Sequence, residues 1–219
     1  MIAKIGYPAP DLKISGWVQG RGKNIGAERG TVVFITVFQI NCIGSFLYGI
    51  PDANNIYNKY QGQALSVFGF ATAFGQYDIN TLQNLKLLLS TGELQGAPLN
   101  IVGEELDNEG GKLPFKINFP VAMDLLVKQG ATVDDEKIEA IAVAKIPNYE
   151  HFHLNHKSII KKEIERRQLN RHFFAETILE YGLEGTPSSI LIDKKGVLRH
   201  VTLGYDNLLE EKIQKLLAE

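Results

Sequence analysis

The sequence has 219 residues, a length that suits one elaborated domain better than two. Hydrophobic residues make up 44% and charged residues 22%, which excludes an intrinsically disordered chain. The formal net charge is −2, so the chain lacks the excess of basic residues expected of a nucleic-acid-binding protein. A single cysteine, Cys42, excludes both an intramolecular disulfide and a zinc site built from several thiolates.

The first fifty residues bear on compartment and membrane association. The N-terminus shows no basic start followed by an apolar stretch and a small-residue cleavage site, so the simplest expectation is a cytoplasmic protein. Residues 30–51 carry no charge and are long enough to raise the question of a membrane span. Polar residues and glycines interrupt this stretch, and its first part is β-branched and aromatic. We therefore expect a buried strand, a turn and a helix there, and no contact with a membrane.

Hydrophobic periodicity and turn residues predict an α/β chain. In chain order, the predicted elements are a small hairpin over 14–25, a core strand over 32–38, a helix from about 42 to 60 with a kink at Pro51, a strand over 64–72, a helix that Asn80 or Thr81 can cap, a strand over 119–123, helices over 134–145 and 156–181, strands over 188–193 and 197–203, and a closing helix over 208–217. Early alternation of strands and helices implies parallel strands, and the last two strands add antiparallel ones. The expected fold is a mixed central sheet flanked by helices.

Two stretches do not fit a minimal sheet-and-helix alternation. Residues 92–112 are predicted to form a glycine-rich acidic loop, and residues 125–175 are longer than a compact connection requires. We expect both to be insertions in one domain that spans residues 1–219. The longer insertion could shield Cys42, define a substrate groove or make a homodimer contact, and the sequence leaves these three alternatives open.

Cys42 follows the first core strand at the predicted start of a helix. The unpaired N–H groups and the partial positive charge of a helix N-terminus stabilise a thiolate, which is the nucleophile for disulfides and peroxides. Ser45 lies one helical turn further on, where its hydroxyl could donate a hydrogen bond to the sulfur but could not resolve a disulfide. The alternative is that Cys42 is a small buried hydrophobic residue, as free cysteines often are.

A second feature lies far downstream, in the segment Gly185-Thr186-Pro187. A proline at the opening of a core strand is unusual because it removes a hydrogen-bond donor from the ladder. A cis peptide bond between Thr186 and Pro187 would explain its presence, whereas an ordinary trans proline at the start of a strand is the alternative.

Together these segments resemble the thioredoxin fold, and in particular the redoxin group that includes alkyl-hydroperoxide-reductase-like proteins and thiol–disulfide oxidoreductases. The segments that carry the resemblance are residues 6–12, 32–45 with Pro51, 119–124 and 181–196. The resemblance implies a nucleophilic Cys42 that faces the loop before Pro187. It also implies that the backbone of Thr186 pairs with an extended substrate segment, in the manner of strand addition. On this basis Cys42 and Ser45 are the predicted catalytic residues, and Thr186, Pro187 and Asn41 are the predicted substrate-binding residues.

The sequence departs from the family at this site. The family usually has Trp-Cys-x-x-Cys, whereas this chain has Asn41-Cys42-Ile-Gly-Ser45 and cannot cycle between a dithiol and an internal disulfide. Release of a mixed disulfide would require an external thiol, either glutathione or a partner protein. The peroxidase pattern Pro-x-x-x-Thr/Ser-x-x-Cys is also missing, because Ile35 and Gln39 occupy its positions.

Three hypotheses about function follow. The first is a thiol–disulfide oxidoreductase-like protein with a role in redox homeostasis, which uses Cys42 and an external thiol. The second is a peptide- or protein-binding module on a redoxin scaffold that has lost turnover, and the third is a one-cysteine antioxidant peroxidase. None requires a cofactor or a metal, and the only metal-like pattern, the histidines at 151, 153 and 156, is better explained as the solvated start of a helix.

Overall fold

The structure is a computed structural model that describes residues 2–105, 110–128, 134–169 and 173–219. The strands are β1 (Ile14–Gln19), β2 (Val32–Phe38), β3 (Leu65–Ala71), β4 (Val121–Asp124), β5 (Leu126–Lys128), β6 (Phe173–Ala175), β7 (Ser188–Ile192) and β8 (Leu198–Leu203). The α-helices are α1 (Ile50–Lys59), α2 (Leu82–Thr91), α3 (Pro98–Glu105), α4 (Asp135–Lys145), α5 (Leu154–Leu169), α6 (Glu176–Glu180) and α7 (Leu209–Ala218).

A mixed sheet forms the centre of the fold, as the sequence predicts. Within the described ranges it has six strands in the order β1-β4-β3-β2-β7-β8. Strands β2, β3 and β4 run parallel, while β1 pairs antiparallel with β4, and β7 pairs antiparallel with β2 and β8. The carboxyl ends of β2, β3 and β4 therefore meet at one edge of the sheet, where segments from distant parts of the chain can converge.

Strand β2 lies at the centre because both of its faces are buried. All seven of its residues are buried. Phe34 and Phe38 join a core with α1, α2 and α7, whereas Ile35 and Val37 join a second core with α6 and the N-terminal segment. A continuous apolar run without alternation is typical of such a strand, which explains why the sequence alone predicts its bounds.

The uncharged stretch from Gly30 to Pro51 is the buried strand β2 followed by a turn and helical residues. In the part of the chain that the structure covers, no helix combines the length and apolar character needed to cross a bilayer.

The predicted N-terminal hairpin is wrong. Strand β1 finds its partner in β4, about a hundred residues further along the chain. The segment that was expected to return as a strand instead forms a 3-10 turn, Ile25–Ala27. The Asn24 side chain accounts for this turn, because its oxygen accepts hydrogen bonds from the N–H groups of Leu12 and Ile25, both at 2.9 Å. A local side-chain bond thus replaces a strand ladder.

Two predictions for the insertions also need correction. Residues 92–112 contain a helix, α3, although Asp107 and Glu109 lie outside the described residues. The predicted helix over 156–181 is divided into α5, the short strand β6 and the helix α6. Strand β6 pairs antiparallel with β5, which the sequence could not show because neither three-residue strand has a periodicity of its own.

Candidate functional site

Cys42 lies at the N-terminal end of the helical segment that follows β2. A tight turn brings it there, since its N–H donates to the Gln39 carbonyl and its own carbonyl accepts from the Ser45 N–H, both at 3.1 Å. Helical structure begins at Ile43, and Cys42 itself is half-buried. The cysteine is therefore placed where the helix dipole is positive, and the residue is not fully buried.

The helix does not run smoothly from Cys42 to Tyr60. Residues Ser45–Gly49 form a π-helical turn, in which the Ile50 N–H donates to the Ser45 carbonyl. Pro51 accounts for the wider turn, because it has no N–H and its ring would collide with a carbonyl one α-helical turn earlier. The predicted irregularity at Pro51 is thus displaced into the turn that precedes it, beside the cysteine.

The loop before β7 faces the cysteine. The Thr186–Pro187 peptide bond is cis. The Cys42 thiol donates a hydrogen bond to the Thr186 carbonyl, with the sulfur 3.1 Å from the oxygen. Pro187 is buried, and its carbonyl accepts a hydrogen bond of 2.8 Å from the N–H of Gly204 at the end of β8. The structure therefore brings Cys42 together with Thr186 and Pro187, across 144 residues of sequence.

We call residues 185–187 the prolyl loop. Two glycines permit the close approach of the helix to this loop. A Cβ atom at Gly49 would lie 2.8 Å from Pro187 Cβ, and one at Gly44 would lie 3.2 Å from Pro187 Cδ. The first of these distances is shorter than side-chain carbons tolerate, so residue 49 must be glycine unless the loop moves. The sequence analysis did not identify either residue, although two glycines shortly after the cysteine are a signal that could have been used.

Ser45 does not contact the sulfur. Its side chain is buried, and its hydroxyl finds no hydrogen-bond partner among the described residues. The expected hydrogen bond from Ser45 to Cys42 is therefore wrong. The reason is its place in the π-helical turn, where both Ser45 and the neighbouring Phe46 are buried.

Asn41 belongs to a group of four side-chain amides that we call the amide cluster, formed by Gln39, Asn41, Gln76 and Asn80. The Asn41 oxygen accepts from the Gln39 amide at 2.9 Å and from the Asn80 amide at 2.8 Å. Its NH₂ group donates to the Gln76 side-chain oxygen at 2.6 Å. The Asn41 amide is thus occupied by the protein, and the sequence analysis missed its three partners, which no motif marks.

Uncharged, exposed side chains lie near the prolyl loop. Tyr48 lies in the π-helical turn and Tyr205 follows β8, and their exposed rings are 5.7 Å apart. Leu203, the last residue of β8, is also exposed and lies beside Gly185. Together with Thr186 these residues form an uncharged surface that continues from the sulfur.

Asp124 is a buried carboxyl group at the end of β4. Thr72 donates a hydrogen bond of 2.5 Å to one of its oxygens, and the other has no partner among the residues described. Burial raises the pKa of Asp124 to about 7, helped slightly by the nearby charge of Glu176 and opposed by the hydrogen bond from Thr72 and by the adjacent backbone N–H of Leu125. The sequence placed Asp124 at a strand end without assigning it a role.

The histidines at 151, 153 and 156 are exposed, in a 3-10 turn and at the start of α5. In the described parts of the chain, no group of three or more histidine, cysteine or carboxylate side chains comes together as a metal site would require.

Comparison with solved structures identifies the fold. A thioredoxin-like superfamily protein is 24% identical, with a TM-score of 0.60 over 98% of both chains. A thiol-disulfide isomerase from Corynebacterium glutamicum gives the same identity, coverage and TM-score, and a thioredoxin-like protein in its oxidised form is 17% identical with a TM-score of 0.53, covering 97% of this chain and 95% of that one. No protein-family model and no curated protein sequence matches the chain. The chain has the thioredoxin-like fold, which confirms the fold predicted from the sequence.

Proposed function

We propose that this chain is a thiol–disulfide oxidoreductase-like protein whose nucleophile is Cys42 and whose turnover depends on an external thiol. One observation carries the proposal. The sulfur of a half-buried cysteine at a helix start lies 3.1 Å from the carbonyl of the residue before a cis proline. The similar protein from Corynebacterium glutamicum is called a thiol-disulfide isomerase, and the proposal assigns the same class of reaction to this chain.

The proposed reaction is an exchange in two steps. The Cys42 thiolate attacks one sulfur of a substrate disulfide, so that a Cys42–substrate disulfide forms and the other substrate sulfur leaves as a thiolate and takes up a proton. A low-molecular-weight thiol such as glutathione, or a protein thiol, then attacks the mixed disulfide as its thiolate. That attack releases Cys42 as a thiolate and leaves the incoming thiol joined to the substrate. Each step forms one S–S bond and breaks one.

The surface beside the sulfur supports a polypeptide disulfide as substrate. Thr186 presents backbone next to Cys42, where an extended segment could pair with it by strand addition. Tyr48, Leu203 and Tyr205 provide exposed apolar area next to that position and carry no charge. In this arrangement Thr186 aligns the segment, Pro187 shapes the loop, and Asn41 precedes the cysteine in the turn that the amide cluster holds.

The proposal is tested by mixed-disulfide formation with a short uncharged peptide disulfide, followed by mass spectrometry. The native chain should form an adduct at Cys42 at least about tenfold faster than the same chain unfolded in denaturant, because only the folded chain places the sulfur at a helix start. Cys42→Ala should form no adduct. Equal rates for the folded and unfolded chains would rule out the proposal.

A second candidate function is a binding module that holds a partner peptide without turnover. It is favoured by Ser45, because the buried residue at this position has a hydroxyl in place of a thiol and cannot release a mixed disulfide. Retention of a reduced, cysteine-free peptide by Cys42→Ala with unchanged affinity would favour this candidate. Loss of capture in the variant would favour exchange chemistry.

The one-cysteine peroxidase has less support. Gln39 takes the place of the hydroxyl residue in the peroxidase pattern, and its amide is already engaged. Its oxygen accepts from the Phe74 N–H at 2.5 Å, and its NH₂ group donates to Asn41. This side chain is therefore not available to orient a peroxide beside Cys42.

A further inference from the structure

We infer that Asn80 is a positioning residue for Cys42, acting through the amide cluster and the backbone of residues 39–41. The inference rests on the proposed function and concerns how the nucleophile is held. Asn80 was considered in the sequence only as a helix cap. That role belongs to Thr81, whose hydroxyl accepts from the Asn84 N–H.

Asn80 uses both ends of its amide. Asn80 is only 1% exposed, and its side-chain oxygen accepts a hydrogen bond of 2.9 Å from the Ile40 N–H. Its NH₂ group lies 2.8 Å from the Asn41 side-chain oxygen, and 3.0 and 3.2 Å from the carbonyls of Gly75 and Gln76. One buried side chain therefore joins the turn before Cys42 to the loop over residues 73–81, which we call the clamp loop.

The turn before Cys42 needs this support because the sheet no longer provides it. The pairing of β2 with β3 ends at Phe38, whose carbonyl accepts from the Thr72 N–H at 2.9 Å. Ile40 lies beyond the end of this pairing and is 1% exposed, and Asn80 supplies the acceptor for its N–H. A buried N–H without an acceptor is costly, so Asn80 fixes this peptide group in one orientation.

The clamp loop is itself held from its far side. Gln76 has a φ of 46°, in the left-handed region that non-glycine residues seldom adopt, and its side chain bonds Asn41. The neighbouring Tyr77 packs its ring 5.0 Å from that of Phe173 in β6 and donates a hydrogen bond to the Phe173 carbonyl. The long insertion thus packs against the clamp loop, which in turn bonds Asn41 beside the cysteine.

This arrangement sets the distance between the Cys42 sulfur and the Thr186 carbonyl. An extended substrate must meet both groups at once, whereas a small alkylating reagent needs only an accessible sulfur. A misplacement of about 1 Å can cost a positioned reaction a factor on the order of a hundred. Loss of Asn80 should therefore slow the reaction with a peptide disulfide and leave alkylation nearly unchanged.

The test compares Asn80→Ala with Asn84→Ala, after both variants are shown to be folded. Asn84 is a suitable control, because it is half-buried and bonds the Ile79 carbonyl of the same loop at 2.8 Å without touching residues 39–41. Rates of Cys42 modification are measured with an uncharged peptide disulfide and with iodoacetamide. We expect Asn80→Ala to lower the first rate by about tenfold or more and the second by less than about threefold, with little change in Asn84→Ala.

The outcomes distinguish failure of the proposed function from failure of the positioning role of Asn80. If the folded wild-type chain reacts with the peptide disulfide no faster than the unfolded chain, the proposed function fails. If the wild-type chain reacts rapidly but Asn80→Ala matches Asn84→Ala, or loses both rates equally, the positioning role alone is overturned.

A second variant covers the case in which Asn80→Ala does not fold. Gln76→Gly removes an exposed side chain of the cluster and suits the left-handed backbone at that position. It should lower the peptide-disulfide rate by about threefold without affecting alkylation. An unchanged ratio of the two rates would count against the inference.

Discussion

The carboxyl ends of β2 and β4 lie at the same edge of the sheet and hold very different groups. Beyond β2, Cys42 is half-buried, and its thiol donates a hydrogen bond to the Thr186 carbonyl of the prolyl loop. At the end of β4, Asp124 is 1% exposed, and one of its oxygens has no hydrogen-bond partner among the described residues. Position at the edge therefore does not decide whether a polar group meets solvent.

The two groups differ in exposure because different parts of the chain pack over the two strand ends. Pro187 of the prolyl loop packs against the two glycines that follow Cys42, and Cys42 itself stays only half-buried. Asp124 is paired with Ile14 of β1 in the sheet and bonded to Thr72, so it is enclosed from the strand side. One end thus leaves its polar group half-buried, and the other imposes a pH-dependent cost on the fold.

The largest expected effect is at the β4 end. The pKa of Asp124 rises from 3.8 to about 7 on folding, so the folded chain binds this proton more tightly than the unfolded chain does. The contribution of this proton to the free energy of unfolding is fully present below about pH 3.8 and is lost as the pH rises through about 7. The total loss is at most about 4 kcal/mol. Asp124→Asn should remove this loss, so its free energy of unfolding should exceed that of the wild type at pH 8.

Urea unfolding at pH 5, 6, 7 and 8 measures this difference. Asp78→Asn is the control for the same loss of charge at an exposed aspartate. Parallel pH profiles for the wild type and Asp124→Asn would show that Asp124 does not hold its proton in the folded state.

The two strand ends also differ in what the sequence reveals. The apolar run of β2, the lone cysteine after it and the Thr186–Pro187 pair are local patterns, and they predict the elements around the site. The burial of Asp124 depends on β1, whose pairing with β4 joins segments about a hundred residues apart and leaves no periodic signal. The sequence therefore predicts that Asp124 lies at a strand end, but it does not predict that β1 pairs there and buries the carboxyl group.

The same reason limits the prediction of the site itself. Cys42, Thr186 and Pro187 carry motifs, and the structure brings them together. Asn80 and Gln76 carry no motif, because an amide becomes informative only when its partner is known. Ser45 was placed correctly along the helix, but the direction of its side chain depends on packing against the sheet.

The next largest effect is expected at the β2 end, from Gly49→Ala. The added Cβ would lie 2.8 Å from Pro187 Cβ, so either the helix or the prolyl loop must shift. Overpacking of this kind costs about 1–3 kcal/mol, and the better helix propensity of alanine returns about 1 kcal/mol. We expect a net loss of up to about 2 kcal/mol in urea unfolding, together with slower exchange at Cys42 because Thr186 moves with the loop.

Gly44→Ala is the graded control for this prediction. A Cβ at this position would lie 3.2 Å from Pro187 Cδ, a contact that a small adjustment relieves. Its loss of stability should be smaller than that of Gly49→Ala. If Gly44→Ala proves equally or more destabilising, the close approach to the prolyl loop is not what requires glycine at position 49.

The smallest effect is expected when the two buried serines near the cysteine are replaced by alanine. One of them has a hydrogen-bonded hydroxyl and the other does not. Ser188 donates a hydrogen bond of 2.8 Å to the Gly185 carbonyl, whereas the Ser45 hydroxyl has no partner among the residues that the structure describes. Ser188→Ala should therefore lose about 1 kcal/mol, while Ser45→Ala should be neutral or gain up to about 1 kcal/mol. Because Ser45 does not bond the sulfur, its replacement should change the rate of disulfide exchange by less than about twofold. A larger loss of rate in a stable Ser45→Ala would mean that the hydroxyl turns towards Cys42 during the reaction, and it would restore the catalytic role that the sequence predicts for this residue.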